Sequence, residues 1–335
     1  MNTPHHLSFC IVLFLLSAAA YAEAARPITY DAIRWVDEKD DPSMAVDAGS
    51  LVAKVIDNTG LRTTQTRTAG LDYSHVLGYH GIRALYDKTE RRNVVSPFYS
   101  IMNLQSVEIE GVGLDPVDSR ARYGIARGWP MTIQKMGQGA RLHIDRLPTS
   151  GLEYSINFQP IEEDAIDFEI TFTLHKKTRE KASFFASWAC YMSTYDEVAL
   201  YSPVNTDNGM EWQAFGEREP FVVGDAVNYE HIQRTFRPAE PPAFPAVYGR
   251  IGERVFVLMV DRPDVQFFLV NTGGHAAHLP VQNPAWDFSW KVADYEPGQP
   301  IGFRGRLIYT RFKSDDDVTA RCRQWLRVNL AGDDR

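Results

Sequence analysis

The clearest pattern in the chain is an alternation of apolar and polar residues between positions 166 and 174. The polar positions between the apolar ones carry Asp, Glu and Thr. A period of two is typical of a β-strand with one buried face and one face toward solvent. Residues 152–161 precede this run and predict its antiparallel partner. The apolar positions of the alternating run are Ile166, Phe168, Ile170, Phe172 and Leu174.

Many further short apolar runs are separated by turns rich in Gly, Pro, Asn and Asp. The spacing, without alternating helices, predicts a mostly β fold, a large antiparallel β-sandwich that forms a single domain over residues 28–330. No glycine-rich phosphate loop follows any strand, so a nucleotide-binding fold is not expected. The further strand candidates are 51–56, 82–86, 94–98, 131–135, 184–191, 247–250, 255–260, 265–270, 287–292 and 302–312.

One helix is predicted near the end of the chain, at about residues 315–329. Ser314 is a good N-cap, and the three aspartates that follow place negative charge in the first turn. Val318, Cys322 and Trp325 recur at helical spacing. We expect this helix to complete the domain and to close one end of the sandwich through Trp325.

The first 22 residues have the features of a signal peptide. They contain no Asp, Glu, Lys or Arg, and the apolar run 9–20 is followed by Ala20, Tyr21 and Ala22, which place small residues at a cleavage site. The run is too short to span a bilayer, and no later segment is apolar enough to do so. We therefore expect an exported protein, periplasmic or extracellular. A disordered start on a cytoplasmic protein is the alternative, because the segment lacks Lys and Arg before its apolar run.

Charge and cysteine content restrict the partners. The formal net charge is −8, which argues against nucleic acid as the main partner because phosphate binding requires a basic face. An acidic sugar held by a local arginine cluster remains compatible with this charge. Cys10 lies in the predicted leader, so Cys190 and Cys322 could form one disulfide or remain two separately buried thiols.

The first candidate site lies in the segment 78–83, where glycines flank a histidine. Tyr79, His80 and Arg83 are close together in sequence, and an imidazole can donate or accept a proton near neutral pH. The functional interpretation makes His80 an acid–base group and Tyr79 and Arg83 substrate contacts. The alternative is a structural turn whose histidine bonds to the backbone.

A second candidate site surrounds His231 in the segment 228–234, with Arg234 at its end and Trp212 upstream. Aromatic rings stack on the apolar faces of sugars, while polar groups bind the hydroxyls. This mixture of residues favours a carbohydrate site with His231 as an acid–base group. A solvated surface loop is the alternative.

The third candidate site lies between residues 283 and 290. Trp286 and Trp290 could form a stacking wall with the carboxylate of Asp287 between them. In a strand, both tryptophans would share one face and Asp287 would lie on the other. The tryptophans could instead belong to the core.

Two other segments contain clusters of histidine or arginine. His275 and His278 lie in a glycine- and proline-bounded loop without a nearby carboxylate, so we expect no metal site and no cofactor. Arg127 and Trp129 close a segment that also holds Arg120 and Arg122, and they suggest an exposed basic and aromatic stretch that could meet an acidic sugar. A solvated loop is the simpler interpretation.

The segments 78–86, 184–188 and 283–288 resemble blocks of exported bacterial proteins similar to the galactose mutarotase-like β-supersandwich. This fold is shared by aldose epimerases and polysaccharide-processing enzymes, so the resemblance implies proton transfer by a histidine and a carboxylate. By position it points to His80 and His231, with Asp287 or Glu211 as the carboxylate. Where such proteins carry a Glu–His pair, this chain has the stretch 100–105, in which Asn103 is a candidate substrate contact.

Together these observations predict an exported carbohydrate-active protein that acts on a glycan or sugar as an epimerase, lyase or hydrolase. His80, His231 and Asp287 would transfer protons. A non-catalytic glycan-binding sandwich is the alternative, and a purely structural envelope protein is a third interpretation. The sequence does not predict an oligomeric state. The expected substrate contacts are Tyr79, Arg83, Asn103, Trp212, Arg234 and Trp286.

Overall fold

A computed structural model of the protein describes residues 43–58, 78–96, 99–116, 125–162, 164–193, 197, 199–216, 234–272 and 283–330. The predicted fold class is confirmed: these residues form antiparallel β-sheets and one C-terminal α-helix. His231, His275, His278 and the predicted leader 1–22 lie outside the described residues. Within the described part of the chain, no helix combines the length and apolar character needed to cross a bilayer.

The strands are numbered in chain order. They are β1 (Met44–Ala48), β2 (Leu51–Ile56), β3 (Gly81–Asp87), β4 (Asn103–Ile109), β5 (Thr132–Met136), β6 (Gly139–Ile144), β7 (Leu152–Glu162), β8 (Ala165–Leu174), β9 (Phe184–Ala189), β10 (Leu200–Thr206), β11 (Gly209–Phe215), β12 (Arg234–Phe236), β13 (Ala246–Ile251), β14 (Arg254–Val260), β15 (Val265–Thr272), β16 (Asn283–Val292) and β17 (Pro300–Arg311). The helix α1 spans Asp315–Leu330.

Two layers build the sandwich. One is a nine-stranded sheet in the order β11-β10-β13-β14-β17-β8-β7-β6-β5. The other combines a five-stranded sheet, β12-β15-β16-β9-β4, with a three-stranded sheet, β1-β2-β3. The bridge between Ile82 and Ile101 joins these two smaller sheets, with backbone N–H···O distances of 2.9 and 2.8 Å. The second layer therefore continues across both sheets.

Aromatic side chains fill the space between the layers. Trp188 of β9 stacks on Phe288 of β16 at 4.8 Å between ring centroids, and it contacts Phe172 of β8 and Phe303 of β17 at 5.9 and 5.6 Å. These contacts join the five-stranded sheet to the nine-stranded sheet. The apolar positions of β8 all point into this core, as their period of two predicts.

The helix packs on a sheet face rather than on an end of the sandwich. Val318, Cys322 and Trp325 lie against outward residues of the nine-stranded sheet, among them Val257 and Ile308. The predicted closure of one end through Trp325 was therefore wrong. The predicted start is confirmed, because the Ser314 hydroxyl accepts a hydrogen bond from the Asp317 N–H at 3.2 Å.

The two cysteines among the described residues form no disulfide. Cys190 follows β9 and belongs to the core between the layers, whereas Cys322 lies under α1 on the outer face of the nine-stranded sheet. A sheet separates the two thiols, so they cannot approach each other. Both are free and buried, and burial raises the pKa of the Cys322 thiol to about 12.

Most predicted strands are present, within a few residues at their ends. One exception is the candidate strand 94–98, of whose described residues 94–96 only Val95 forms an isolated bridge. Its polar neighbour Asn93 instead accepts a hydrogen bond from the Leu85 N–H at 3.0 Å. The pattern also missed several strands, which are β1, β4, β6, β10, β11 and β12.

Candidate functional site

A group of buried polar side chains lies on the outward face of the five-stranded sheet. Asp287 of β16 points away from its neighbours Trp286 and Phe288, which enter the core between the layers. Its carboxylate accepts a hydrogen bond from the Cys190 N–H at 2.8 Å and is only 6% exposed. The strand therefore holds a carboxyl group in a nearly dry place outside the apolar core.

Arg127 lies near this carboxyl group. It belongs to a short 3₁₀ turn, Ile125–Gly128, and its guanidinium carbon lies 3.8 Å from the ring centroid of Tyr79. Asn58 anchors the turn, since its amide nitrogen donates hydrogen bonds to the carbonyl oxygens of Arg127 and Trp129. Both Arg127 and Trp129 are buried, so the predicted exposed basic and aromatic stretch was wrong at these two positions.

Three tyrosines complete the group. The rings of Tyr79, Tyr99 and Tyr191 are in mutual contact, with centroid distances between 4.6 and 5.7 Å. The side chain of Tyr191 is hydrogen-bonded to Tyr79 and to Arg127. We call Tyr79, Tyr99, Arg127, Tyr191 and Asp287 the Arg127 cluster. Of these five side chains, Tyr191 is the most exposed to solvent.

Burial controls the proton affinities in the Arg127 cluster. Burial raises the pKa of Asp287 to about 7, although the Cys190 N–H and the positive charge of Arg127 both act to lower it. Burial also raises the pKa of Tyr191, and the charge of Arg127 opposes that change. A carboxyl group that titrates near neutral pH beside a phenol and a guanidinium can exchange a proton with a bound hydroxyl group.

His80 lies in the interior, and the backbone holds both of its ring nitrogens. The Leu104 N–H donates to Nε2 at 3.0 Å, so the proton of the neutral ring is on Nδ1, which lies 3.3 Å from the Gly78 carbonyl oxygen. Burial lowers the pKa of His80 to about 4. This is the geometry of a structural histidine, the alternative that the sequence left open.

Asn103 also supports the backbone at this position. Its side-chain oxygen accepts a hydrogen bond from the His80 N–H at 3.3 Å, and the residue is fully buried. The next residue after His80 is Gly81, with φ +100°, where a Cβ would lie 2.4 Å from the Ile101 carbonyl oxygen. His80, Gly81 and Asn103 therefore fix the junction between β3 and β4, next to Tyr79 of the Arg127 cluster.

The tryptophans predicted as stacking platforms occupy other environments. Trp286 is buried in the core, where its ring lies against Gly249 and is 5.8 Å from Phe256. Trp212 of β11 packs below α1, and its indole N–H donates to the Thr319 hydroxyl at 2.9 Å. Neither ring lies in the Arg127 cluster, and Trp212 belongs to the opposite layer of the sandwich.

The other predicted site residues also lie apart from one another. Arg83 is buried on β3, and Glu211 is exposed on β11, beside Trp212 on the opposite layer. His231 and the side chain of Arg234 lie outside the described residues, so their roles stay predictions. Within the described residues, no set of three or more His, Cys, Asp and Glu side chains is arranged to hold a metal ion.

Comparison with solved structures identifies the architecture. A protein of Escherichia coli K12, proposed to be an aldose 1-epimerase, superposes with a TM-score of 0.51 at 11% sequence identity, over 81% of this chain and 99% of that chain. The described chain has a galactose mutarotase-like fold. The sequence matches no protein-family model and no curated protein.

Two further structures have lower similarity to this chain. A galactose mutarotase-like protein of Lactobacillus casei ATCC 334 gives a TM-score of 0.46 at 8% identity, over 80% of this chain and 100% of that chain. A galactose 1-epimerase of Lactobacillus acidophilus NCFM gives 0.44 at 10% identity, over 81% and 94%. At these identities the likeness concerns the fold alone.

The central part of the site was not evident from the sequence. Arg127 lies in a stretch that the sequence predicts to be exposed, and Tyr99 and Tyr191 lie in none of the three candidate sites. The available signal was weak: Tyr191 lies two residues after the end of β9, and Arg127 is two residues from a tryptophan. Of the predicted catalytic and substrate-binding residues that the structure describes, only Tyr79 and Asp287 belong to the Arg127 cluster.

Proposed function

We propose that this protein is an exported carbohydrate-active enzyme that transfers protons at a sugar through the Arg127 cluster. The observation that carries the proposal is the meeting of Asp287, Arg127 and Tyr191 on the outward face of the five-stranded sheet. The galactose mutarotase-like fold favours sugars as the substrate class. It does not fix the reaction, since a fold hosts many functions.

Interconversion of sugar anomers is the reaction that these groups fit best. The ionised carboxylate of Asp287 would accept the proton of the anomeric hydroxyl group. The bond between the anomeric carbon and the ring oxygen then breaks as the ring oxygen receives a proton from a second group. Closure on the other face of the carbonyl reverses the transfers, so no net proton is consumed.

Two residues are candidates for the second group. The Tyr191 hydroxyl is the described candidate, because it is hydrogen-bonded in the cluster and partly exposed. His231 remains the candidate that the sequence predicts. Arg127 would orient Tyr191 and favour the ionised form of Asp287. His80 would act as a positioning residue, because its ring nitrogens are bonded to the backbone.

Polarimetry with freshly dissolved α-glucose, α-galactose and α-xylose tests this proposal. We expect Asp287→Asn to lower the rate of mutarotation about 10²–10⁴-fold, the usual contribution of a general acid or base. Because the base must be ionised, the wild-type rate should fall as the pH falls below about 7. The matched control is Asp207→Asn in the exposed turn between β10 and β11, which should leave the rate unchanged. Wild-type protein that converts none of the three sugars, or an unaffected Asp287→Asn variant, would contradict the proposal.

Export rests on the leader-like residues 1–22, and N-terminal sequencing of the protein recovered from the periplasm or medium tests it. We expect the recovered chain to begin at Glu23, after the small residues Ala20 and Ala22. A recovered chain that begins at Met1 in the cytoplasm would contradict export and leave the enzymatic proposal intact.

A further inference from the structure

The outer face of the nine-stranded sheet is only partly covered. The apolar side of α1 packs over outward residues of β13 and β14, whereas polar side chains of β6, β7 and β8 remain uncovered. They line a cavity of about 230 Å³, which we call the outer groove. Its floor is formed by Arg141, His143, Glu153, Ser155, Thr171 and Thr173.

The strand register arranges these groups in rows across the sheet. His143 pairs with Ser155, which pairs with Thr171. One row further along, Arg141 pairs with Asn157 of β7, which in turn pairs with β8. Neighbouring strands lie about 4.8 Å apart, so the polar groups of one row follow one another at nearly that spacing.

Three polar atoms in these rows are buried and make no hydrogen bond. They are Arg141 Nε and His143 Nδ1, whose side chains line the outer groove, and Asn157 Oδ1 beside it. Two of these side chains are held by their other ends, since His143 Nε2 lies 3.0 Å from Asp145 Oδ1 and Asn157 Nδ2 donates to Glu169 at 3.2 Å. A buried polar atom without a partner costs about 1–3 kcal/mol, so such atoms usually meet a ligand or ordered water.

We propose that the outer groove binds one neutral sugar unit of a glycan chain, an inference that rests on the proposed carbohydrate function. The groove supplies hydroxyl, imidazole, guanidinium and carboxylate groups that match ring hydroxyls. Its charges have both signs, Arg141 and Arg146 against Asp145 and Glu153, which favours a neutral ligand over an anion. Its volume is below the ~300–1,000 Å³ of sites for drug-sized ligands, so its ligand is small.

The outer groove binds by hydrogen bonds rather than by stacking. Tyr154 is the one aromatic residue among those that line the described cavity, and its ring is buried in the core against Phe172 at 5.0 Å. Hydrogen bonds exchanged with water contribute little net free energy each, so a single unit binds weakly. A polysaccharide gains by presenting many such units to the protein.

The groove is separate from the Arg127 cluster. Asp287 lies on the outward face of one layer and Thr171 on the outward face of the other, with the aromatic core between them. One sugar unit cannot reach both. The outer groove would therefore hold a glycan chain on the protein while another part of that chain, or another molecule, occupies the proposed active site.

Affinity electrophoresis in gels containing soluble starch, arabinoxylan, mixed-linkage β-glucan or polygalacturonate tests this inference. We expect at least one of the three neutral polymers to retard the wild-type protein. Thr171→Val and Arg141→Gln should each raise the apparent Kd about fivefold, which corresponds to one hydrogen bond of about 1 kcal/mol. Arg311→Gln is the matched control, because this exposed arginine at the end of β17 pairs with Glu253 at 2.9 Å and does not line the groove. This variant should bind as the wild type does.

The outcomes separate the groove from the proposed active site. Retardation that Asp287→Asn retains and Thr171→Val weakens supports the groove, whether or not the protein converts sugars. No retardation by any polymer, retardation by polygalacturonate alone, or equal retardation of all variants would overturn it. Thermal unfolding of each variant checks folding, and Thr171→Val is nearly isosteric with the wild type, so it keeps the test valid if Arg141→Gln fails to fold.

Discussion

The Arg127 cluster and the outer groove are polar regions on opposite outward faces of one sandwich, and they differ in their contact with water. Asp287 and Arg127 of the cluster, and His80 beside it, are each no more than 6% exposed, whereas Asp145 and Arg146 of the outer groove are exposed. In the first region, burial raises the pKa of Asp287 to about 7 and lowers the pKa of His80 to about 4. Desolvation therefore changes the proton affinity of the buried groups, which suits the proton transfer proposed for the Arg127 cluster.

The largest expected difference concerns two glycines of positive φ, one beside the Arg127 cluster and one in the nine-stranded sheet that carries the outer groove. Gly81 has φ +100° and no room for a Cβ, while Gly137 in the turn between β5 and β6 has φ +63° and nothing within 4 Å. Gly81→Ala should lower the free energy of unfolding by about 3 kcal/mol or more, and Gly137→Ala by about 1–2 kcal/mol. Urea unfolding measures both. Equal losses would show that the junction beside His80 is not tightly packed.

An intermediate effect is expected in the pH dependence of stability. Asp287 has a folded-state pKa of about 7, above its unfolded value near 3.9. Its contribution to the free energy of unfolding is therefore present at low pH and is lost as the pH rises. His80 has a folded-state pKa of about 4, below its unfolded value near 6.5, so its contribution is present at neutral pH and is lost as the pH falls. Between about pH 4 and 6.5, the free energy of unfolding falls with pH because of Asp287 and rises with pH because of His80, and the two slopes cancel.

Single substitutions should reveal the slopes that cancel in the wild type. In Asp287→Asn, stability should rise with pH across this window, by about 1.4 kcal/mol per pH unit relative to the wild type. In His80→Gln it should fall with pH by a similar amount. Chemical denaturation at several pH values measures both slopes. Parallel curves for the wild type and both variants would show that neither group is buried as described.

The smallest expected effect on the free energy of unfolding concerns the outer face of the nine-stranded sheet. Glu169 of β8 is exposed and accepts a hydrogen bond from Asn157 at 3.2 Å. Glu169→Gln keeps an acceptor at this position, so the free energy of unfolding should change by less than about 0.5 kcal/mol. The same urea titrations measure it. A loss above 1 kcal/mol would mean that this face is dehydrated and that the contrast with the Arg127 cluster is false.

Local patterns predicted most of the architecture and little of the candidate site. The alternation in β8 and the aspartates after Ser314 depend on residues that are close together in sequence, so the sequence predicts this strand and this helix start. The long strand β16 was recognised only in part, and the short β12 was missed. His80 carried both interpretations in the sequence, since a histidine between glycines is suited equally to a turn and to proton transfer.

The sequence by itself determined an antiparallel sandwich with a capped C-terminal helix, because side-chain periodicity and capping depend on neighbours in the chain. Only the tertiary structure decided that Arg127 is buried beside Tyr79, that His80 accepts a hydrogen bond from the Leu104 N–H, and that two cysteines lie on opposite sides of a sheet. These outcomes depend on segments that are far apart in sequence and meet across layers. Where these segments pack together, water is excluded, and this burial raises the pKa of Asp287. No single segment determines it.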